Sequence, residues 1–286
     1  LRTRTIPDWI VHRVPSGERY RAVRRAVDGL GLSTVCAEAR CPNTGDCLCR
    51  GSAAFLILGR ICARGCRYCA IETGAPIPPD PSEPDRVARA VAALSLRHVV
   101  ITSVTRDDLP DGGAGAFAET ITRIRERASG CAVEVLVPDF RLSQEASMDS
   151  IIAAQPDIIN HNIEVARPRY HLLRPNGDYD ASLALIRRAA ASGIRVKSGL
   201  MVGFGETLDD IDATLADLRA AGCGMLTVGQ YLRSCRECVP VARFYPPEEF
   251  EEIARRARGM GFTAVHAAPL ARSSHHAEVF ARSFPG

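Results

Sequence analysis

The sequence predicts an α/β protein, a partial (β/α)6 TIM-type barrel with an N-terminal and a C-terminal extension. From residue 55 onward, short runs rich in Val, Ile and Leu alternate with longer segments whose apolar residues recur every three to four positions. That is the pattern of parallel strands joined by crossover helices. Six such strand–helix units can be drawn, too few to close an eight-stranded barrel. The 286 residues, 46% of them hydrophobic, suffice for one large core with short segments left at either end. The expected division is an extension over 1–54, a barrel over 55–261 and a second extension over 262–286.

In chain order, residues 9–15 read as irregular and 16–30 as a helix capped by Ser16. Its Arg19, Arg21, Arg24 and Arg25 form a solvated face or a dock for an acidic partner. The turn-rich stretch that follows has no regular periodicity and carries Cys36, Cys41 and Cys47 in a C-x4-C-x5-C spacing, which predicts a metal loop. Cys49 is expected to be a bystander, since ligands two residues apart rarely point at one cluster. Strands are predicted at 55–59, 98–104, 133–137, 157–163, 195–202 and 225–231, and helices at 84–95, 114–128, 143–154, 181–191, 208–220 and 247–260. A further apolar run at 262–267 predicts an edge strand. Gly112-Gly113 and Gly203-Phe204-Gly205 read as turns that let backbone approach a ligand.

Directly after the first strand stand Cys62, Cys66 and Cys69, spaced C-x3-C-x2-C. Three thiolates on one short loop hold three corners of a cubane iron–sulfur cluster and leave the fourth iron open, whereas thiolate-only zinc sites bring four cysteines in two close pairs. The loop is Arg- and Gly-rich, poorly suited to burying inert thiols. In a barrel of this kind the site lies at the carboxyl ends of the strands, and polar residues fall there. Ser103, Thr105, Arg106, Asp107 and Asp108 end the second strand; Asn160, His161, Asn162 and Glu164 end the fourth; Lys197 and Ser198 are placed late in the fifth, at the open rim. Lys197 is the sole lysine among 36 basic residues, which marks a position where a compact ammonium is needed, or else a chance survivor.

Eleven cysteines without a charged-then-apolar signal segment favour metal ligation in a reducing, cytoplasmic setting over disulfides. No apolar run is long enough to cross a bilayer. A net charge of +3 and 6% aromatic content do not suggest a nucleic-acid partner. The pair Cys235 and Cys238 has C-x2-C spacing, but one pair alone supports neither a third metal site nor disulfide exchange strongly.

The first spacing, with Tyr68 just before the last cysteine, resembles the signature of radical S-adenosylmethionine (SAM) enzymes. The ordered set is more specific. Both cysteine triples, Thr102 to Asp108, Asn160 to Glu164, Lys197 to Gly203, Gly229 to Leu232 and the terminal Arg272-Ser273-Ser274 together closely resemble the lipoyl synthase family, over about residues 7–277. The resemblance implies two 4Fe–4S clusters and SAM as cofactors. It implies reductive cleavage of SAM to a 5′-deoxyadenosyl radical, hydrogen abstraction at C6 and C8 of an octanoyl group carried on a lysine of a lipoyl-carrier protein or domain, and insertion of two sulfur atoms supplied by the auxiliary cluster. Carried over by position, Cys62, Cys66 and Cys69 hold the SAM cluster, while Cys36, Cys41, Cys47 and Ser274 hold the auxiliary one. Tyr68, Ser103, Asn160, Asn162 and Glu164 are expected to bind SAM, and Lys197 and Ser274 to be catalytic. A low-potential donor such as ferredoxin or flavodoxin and an iron–sulfur carrier are the further partners implied. The family commonly has Tyr where this chain has His275, and usually Gln-Pro-Ser/Thr, without cysteines, where this chain has residues 233–238. The alternative is a sulfur-inserting radical enzyme of biotin-synthase type acting on a small molecule, against which Ser274 and the early cysteine triple count. A colourless zinc protein and a nucleic-acid-modifying radical enzyme are the other readings.

Overall fold

The structure is a computed structural model and describes residues 6–11, 17–39, 41, 43, 47 and 53–274. Helix α1 spans Glu18–Gly29, so the expected helix is present; its expected cap Ser16, like Cys49 and His275, lies outside the described residues. Strand β1 (Ser33–Thr34) and the short helix α2 (Val35–Glu38) follow, the Thr34 hydroxyl accepting the Ala37 N–H at 3.4 Å as an N-cap.

The barrel strands are β2 (Ala53–Ile57), β5 (His98–Ser103), β6 (Ala132–Leu136), β7 (Ile158–Asn160), β8 (Arg195–Val202), β9 (Met225–Gln230) and β10 (Ala264–Ala268). They pair in sequence order and in parallel, with β1 added antiparallel on the outer edge of β2. Two short strands, β3 (Ile61–Cys62) and β4 (Glu72–Thr73), form a separate ladder. The helices between are α3 (Glu83–Ala93), α4 (Ala114–Arg127), α5 (Gln144–Ala153), α6 (Tyr170–Leu173), α7 (Tyr179–Ala191), α8 (Leu208–Ala220) and α9 (Pro247–Gly259). Sequential parallel order without a reversal is the winding of a barrel, here an open partial one. The edge strand expected at 262–267 is β10, so the sheet continues beyond residue 261.

Alternation along the strands sets the two faces. Val99, Ile101, Val133, Val135, Ile159, Val196, Leu200, Val202, Leu226 and Val228 pack against the helices in one continuous core. At roughly 1.5–3 kcal/mol for each large apolar side chain buried, this layer is the main stabiliser. The opposite residues form small apolar patches inside the barrel, Ala54 with Val100 and Ile158 with Met225. Polar residues occupy the rest of the interior: His98, Thr102, Glu134, Asn160, Lys197 and Thr227 are all buried.

Two strands stop two residues or more before their expected carboxyl ends, against at most one residue for the others. At β2, Leu58 takes φ 67 and gives its N–H to Glu83 Oε2 at 2.7 Å, so the ladder stops at Ile57. At β7, Glu164 takes φ 71; its N–H bonds the Gly199 carbonyl and its carbonyl accepts from Met201 as an isolated bridge. Both departures lie at the carboxyl ends of the strands.

Candidate active site

The cysteine loop at 62–69 is drawn closed at its base. Ile61 lies opposite Glu72 and Cys62 opposite Thr73, and the Gly74 N–H donates to the Cys62 carbonyl at 3.1 Å. Inside the loop the Cys69 N–H donates to the Cys66 carbonyl at 3.0 Å, and the Arg64 N–H to Cys62 Sγ at 3.5 Å. The buried Arg64 guanidinium donates to both oxygens of Asp107, at 2.6 and 2.8 Å, and to Asp139 at 2.5 Å. A planar fork bonded on two sides locks the loop to the ends of β5 and β6. Burial pushes the Asp139 carboxyl up, but the Arg64 bond and charge outweigh it and hold it below the usual carboxylate range. Neighbouring Arg106 is tied in the same way, to Asp108 at 2.7 and 2.9 Å and to the Leu58 carbonyl at 3.0 Å. Burial pushes the Cys66 thiol up, opposed by Arg174, and pushes Cys69 up to about 12; both feel Cys62. The three thiols therefore share one neighbourhood, and Cys66 and Cys69 would release protons as they bound metal.

Around this loop stand the other residues singled out in the sequence. Tyr68 is half-buried with its ring 6.2 Å from Phe204, which stacks on Tyr231 at 4.3 Å. Ser103 ends β5, and its buried hydroxyl has no partner among the described residues. Asn160 ends β7, donates to Glu134 at 2.9 Å, and keeps Oδ1 unpartnered among the described residues. Asn162 donates to Glu164 at 3.1 Å, and burial raises the Glu164 carboxyl against the opposing charge of Arg174. His161 bonds the Val137 carbonyl through Nδ1 at 2.9 Å; Nε2 is buried without a partner among the described residues.

Lys197 lies level with Asn160, the last residue of β7, but it is the third residue of β8 and fully buried, not exposed at an open rim. The reason is the C-terminal segment. The Lys197 ammonium donates to Glu134 Oε1 at 3.1 Å, Oε2 at 3.3 Å and the Ser273 carbonyl at 2.5 Å. The Ser273 hydroxyl donates to Asn162 Oδ1 at 2.7 Å, and Pro269 accepts the Gln230 N–H at 3.1 Å. Gly199 and Gly229 make room for this packing: a Cβ at the first would strike Ser273 Oγ and Asn162, and one at the second would strike the Ala271 carbonyl. Ser274, half-buried, follows directly.

The same segment meets the first cysteine triple. Asn43 Nδ2 donates to the Leu270 carbonyl at 2.5 Å, and the Arg272 charge acts on the Cys41 thiol, which burial raises. Cys36 and Cys47 are buried, and burial together with the Cys41 charge pushes Cys36 up to about 12. The Cys41 N–H donates to the Cys36 carbonyl at 3.1 Å, and the Cys47 N–H to the Asn43 carbonyl at 3.0 Å. Cys41 and Asn43 thus lie beside the segment at 270–272, far from them in sequence. Among the described residues, no three Cys, His, Asp or Glu side chains are drawn in closely enough to hold a single metal ion. The donor chemistry suits an iron–sulfur group: two thiol triples, with buried Ser103 Oγ, Asn160 Oδ1 and His161 Nε2 left without a partner among the described residues at the carboxyl ends of the strands.

Several participants escaped sequence reading. Arg174 lies over the Tyr170 ring at 5.0 Å, donates to the Asn162 carbonyl at 3.4 Å and acts on Cys66 and Glu164, yet an Arg before Pro175-Asn176-Gly177 looks like any loop cation. Glu134 did carry a signal, a carboxylate inside the apolar strand Val133-Glu134-Val135. Cys235 and Cys238 form a disulfide.

Comparison with known proteins gives the family. The model of the radical SAM superfamily matches residues 56–218, and that of the N-terminal domain of lipoyl synthase matches residues 2–41. A lipoyl synthase of Methylococcus capsulatus is 50% identical over 95% of this chain and 85% of its own length. One from Nitratidesulfovibrio vulgaris is 50% identical over 96% of this chain and 91% of its own. The crystal structure of methylornithine synthase shares the fold alone, with a TM-score of 0.52 at 13% identity over 86% of this chain and 85% of that one. Membership implies SAM and iron–sulfur chemistry in a sulfurtransferase, and among the described residues no helix is long and apolar enough to cross a membrane. Half-identity along almost the whole length, together with the two family models, leaves one assignment: the chain belongs to the lipoyl synthase family of the radical SAM superfamily.

Proposed function

We propose that this chain inserts two sulfur atoms, at C6 and C8, into an octanoyl group amide-linked to a lysine of a lipoyl-carrier protein or domain. The observation that carries the reading is the packing of the terminal segment, through Leu270, against Asn43 between Cys41 and Cys47. It supports an auxiliary 4Fe–4S cluster held by Cys36, Cys41, Cys47 and Ser274 and used up as the sulfur source. A second 4Fe–4S cluster would be held by Cys62, Cys66 and Cys69. With SAM on its open iron, that cluster would supply the carbon radical that activates the two unreactive C–H positions.

The chain's own residues then have distinct tasks. Arg64, fixed by Asp107 and Asp139, holds the cysteine loop still. Tyr68, Ser103, Asn160, Asn162 and Glu164 would bind SAM; the unpartnered Ser103 and Asn160 oxygens are ready to accept ligand donors. Lys197 would act by fixing the Ser273 carbonyl and so the position of Ser274. A serine oxygen is a harder donor than thiolate, so the iron it holds is the one most easily released. On this reading residues 1–54 and the C-terminal segment carry the auxiliary site and the barrel carries the radical site. A low-potential donor such as ferredoxin or flavodoxin would supply electrons, and an iron–sulfur carrier would rebuild the spent cluster.

The two triples can be separated. Cys62→Ala should abolish 5′-deoxyadenosine formation, whereas Cys41→Ala should still cleave some SAM yet give no sulfurated product, both read by mass spectrometry with an octanoylated carrier peptide under anaerobic conditions. Normal lipoyl product from Cys41→Ala would refute the division of roles.

A further inference from the structure

The pair Cys235 and Cys238 has no part in the function proposed above, yet it sits against the loop at 62–69. Val239 donates its N–H to the Arg67 carbonyl at 2.9 Å, and Cys238 Sγ lies 3.6 Å from the Cys69 carbonyl. Cys66, Cys69, Glu72, Cys235, Arg236 and Cys238 line one cavity of about 640 Å³. Within the pair the two sulfurs differ in access: Cys235 is half-buried and Cys238 is buried, 3% exposed.

From this juxtaposition we propose that Cys235 and Cys238 form a redox-active dithiol–disulfide couple, reduced through the cavity by a dithiol reductant, whose state sets how residues 233–239 hold the cysteine loop. A structural staple is the weaker account of the bridge, because it closes a loop of sequence separation 3 and so constrains the unfolded chain less than a bridge between distant segments would. Both oxidation states are provided for. Once reduced, the Cys238 S–H can donate to the Cys69 carbonyl, and Ser234 Oγ, 3.8 Å from Cys238 Sγ, can support the departing thiolate. The exchange balances in two steps. A thiolate of the reductant attacks Cys235 Sγ, the S–S bond breaks, and Cys238 leaves as a thiolate that takes up a proton. The second thiol of the reductant then attacks its own sulfur in the mixed disulfide, releases Cys235, and leaves the reductant as a disulfide. Two electrons and two protons pass to the protein. Arg233 helps to hold the loop in shape, bonding the Cys238 carbonyl at 2.8 Å and the Arg236 carbonyl.

Trypsin provides a direct readout, because cleavage after Arg233, Arg236 and Arg243 puts Cys235 and Cys238 on different peptides. In anaerobic cluster-loaded protein poised with oxidised and reduced dithiothreitol and then alkylated, the peptides 234–236 and 237–243 should be joined at the oxidising end. They should be separate, each with one alkyl group, at the reducing end, with one two-electron transition between. Peptides that are never joined, or joined and not reduced by excess dithiothreitol in the folded protein, would overturn the couple. The link to the cysteine loop is read from 5′-deoxyadenosine formation at equal iron content. The rate should differ at least about twofold between the two poised states, a difference lost in both Cys235→Ser and Cys238→Ser. Equal rates in the two states would overturn the link. The peptide readout does not depend on sulfur insertion, so its failure is distinguishable from failure of the proposed function.

Discussion

Lys197 reaches Glu134 and the Ser273 carbonyl from inside the barrel, where it is fully buried. A longer, planar guanidinium cannot sit in an ammonium-sized site bonded on three sides, so Lys197→Arg should cost roughly tenfold or more in turnover while the protein still folds. Unchanged turnover would return this lysine to chance. Removing the charge tests the pair itself. Lys197→Met removes the ammonium from a buried carboxylate that keeps the Asn160 bond and has His98 Nε2 at 3.5 Å, and should lower unfolding stability by up to roughly 3–5 kcal/mol, whereas Lys197→Met with Glu134→Gln should recover much of that. Urea unfolding of the two variants decides it: equal losses would mean that the carboxylate does not depend on the ammonium. His161 gives a pH signature of its own. Burial, with the charge of Arg174 adding to it, pushes its imidazole down to about 4, against about 6.5 for the unfolded chain. A folded value below the unfolded one means stability that is present above pH 6.5 and lost as pH falls through 4. At 1.36 kcal/mol per unit the loss is roughly 3 kcal/mol. Wild type should show it between pH 6.5 and 4 in urea midpoints, and His161→Gln should lack that portion.

Among the elements, the segment at 269–274 does most to join distant parts of the chain. It is bonded to Gln230 of β9, to Asn43 near the first cysteine triple, and to Lys197 of β8 through Ser273. Nothing in its sequence has strand or helix periodicity, so its position was legible only through the terminal Arg272-Ser273-Ser274 motif and not from local propensity. The two inward glycines carry the complementary mark. At Gly229 the atom that a Cβ would meet is backbone, which cannot swing aside, so Gly229→Ala should lift the segment. Amide exchange at residues 270–274 should rise in that variant with the barrel strands little changed, and equal exchange would show that the segment does not need the gap. Ser274→Cys tests the proposed ligand. A thiolate should hold the cluster at least as well yet donate sulfur poorly, because the iron that must leave is bound more tightly. Normal sulfur insertion by that variant would rule the serine out.

For the whole molecule, the order and direction of the strands were legible because buried parallel strands keep runs such as His98-Val99-Val100-Ile101, and because amphipathic helices keep their period between them. What was not legible depends on contacts made across the fold. The ends of β2 and β7 are set by Glu83 and by Gly199 rather than by their own residues, the two residues of β1 are too few for a periodic signal, and Arg174 gains its neighbours only through the turn after α6. The cysteine spacings, by contrast, are local and survive in the sequence unaltered. They also fix a quantity that the whole chain must satisfy. Cys62, Cys66 and Cys69 act on one another after the end of β2, while Cys41 and Asn43 lie beside the C-terminal segment, so on the proposed reading each triple holds a cluster of its own, with SAM at the fourth position of one and Ser274 at that of the other. Anaerobic reconstitution should therefore load about eight iron and about eight sulfide per chain, as two cubanes of four each, with a brown colour and a broad charge-transfer band. The loading should fall to about four in Cys36→Ala with Cys41→Ala, and to about four in Cys62→Ala with Cys66→Ala, because the triples share no ligand. About four iron in the wild type would mean that one triple binds nothing, and about twelve would bring in a further site, so either count would refute the two-cluster arrangement.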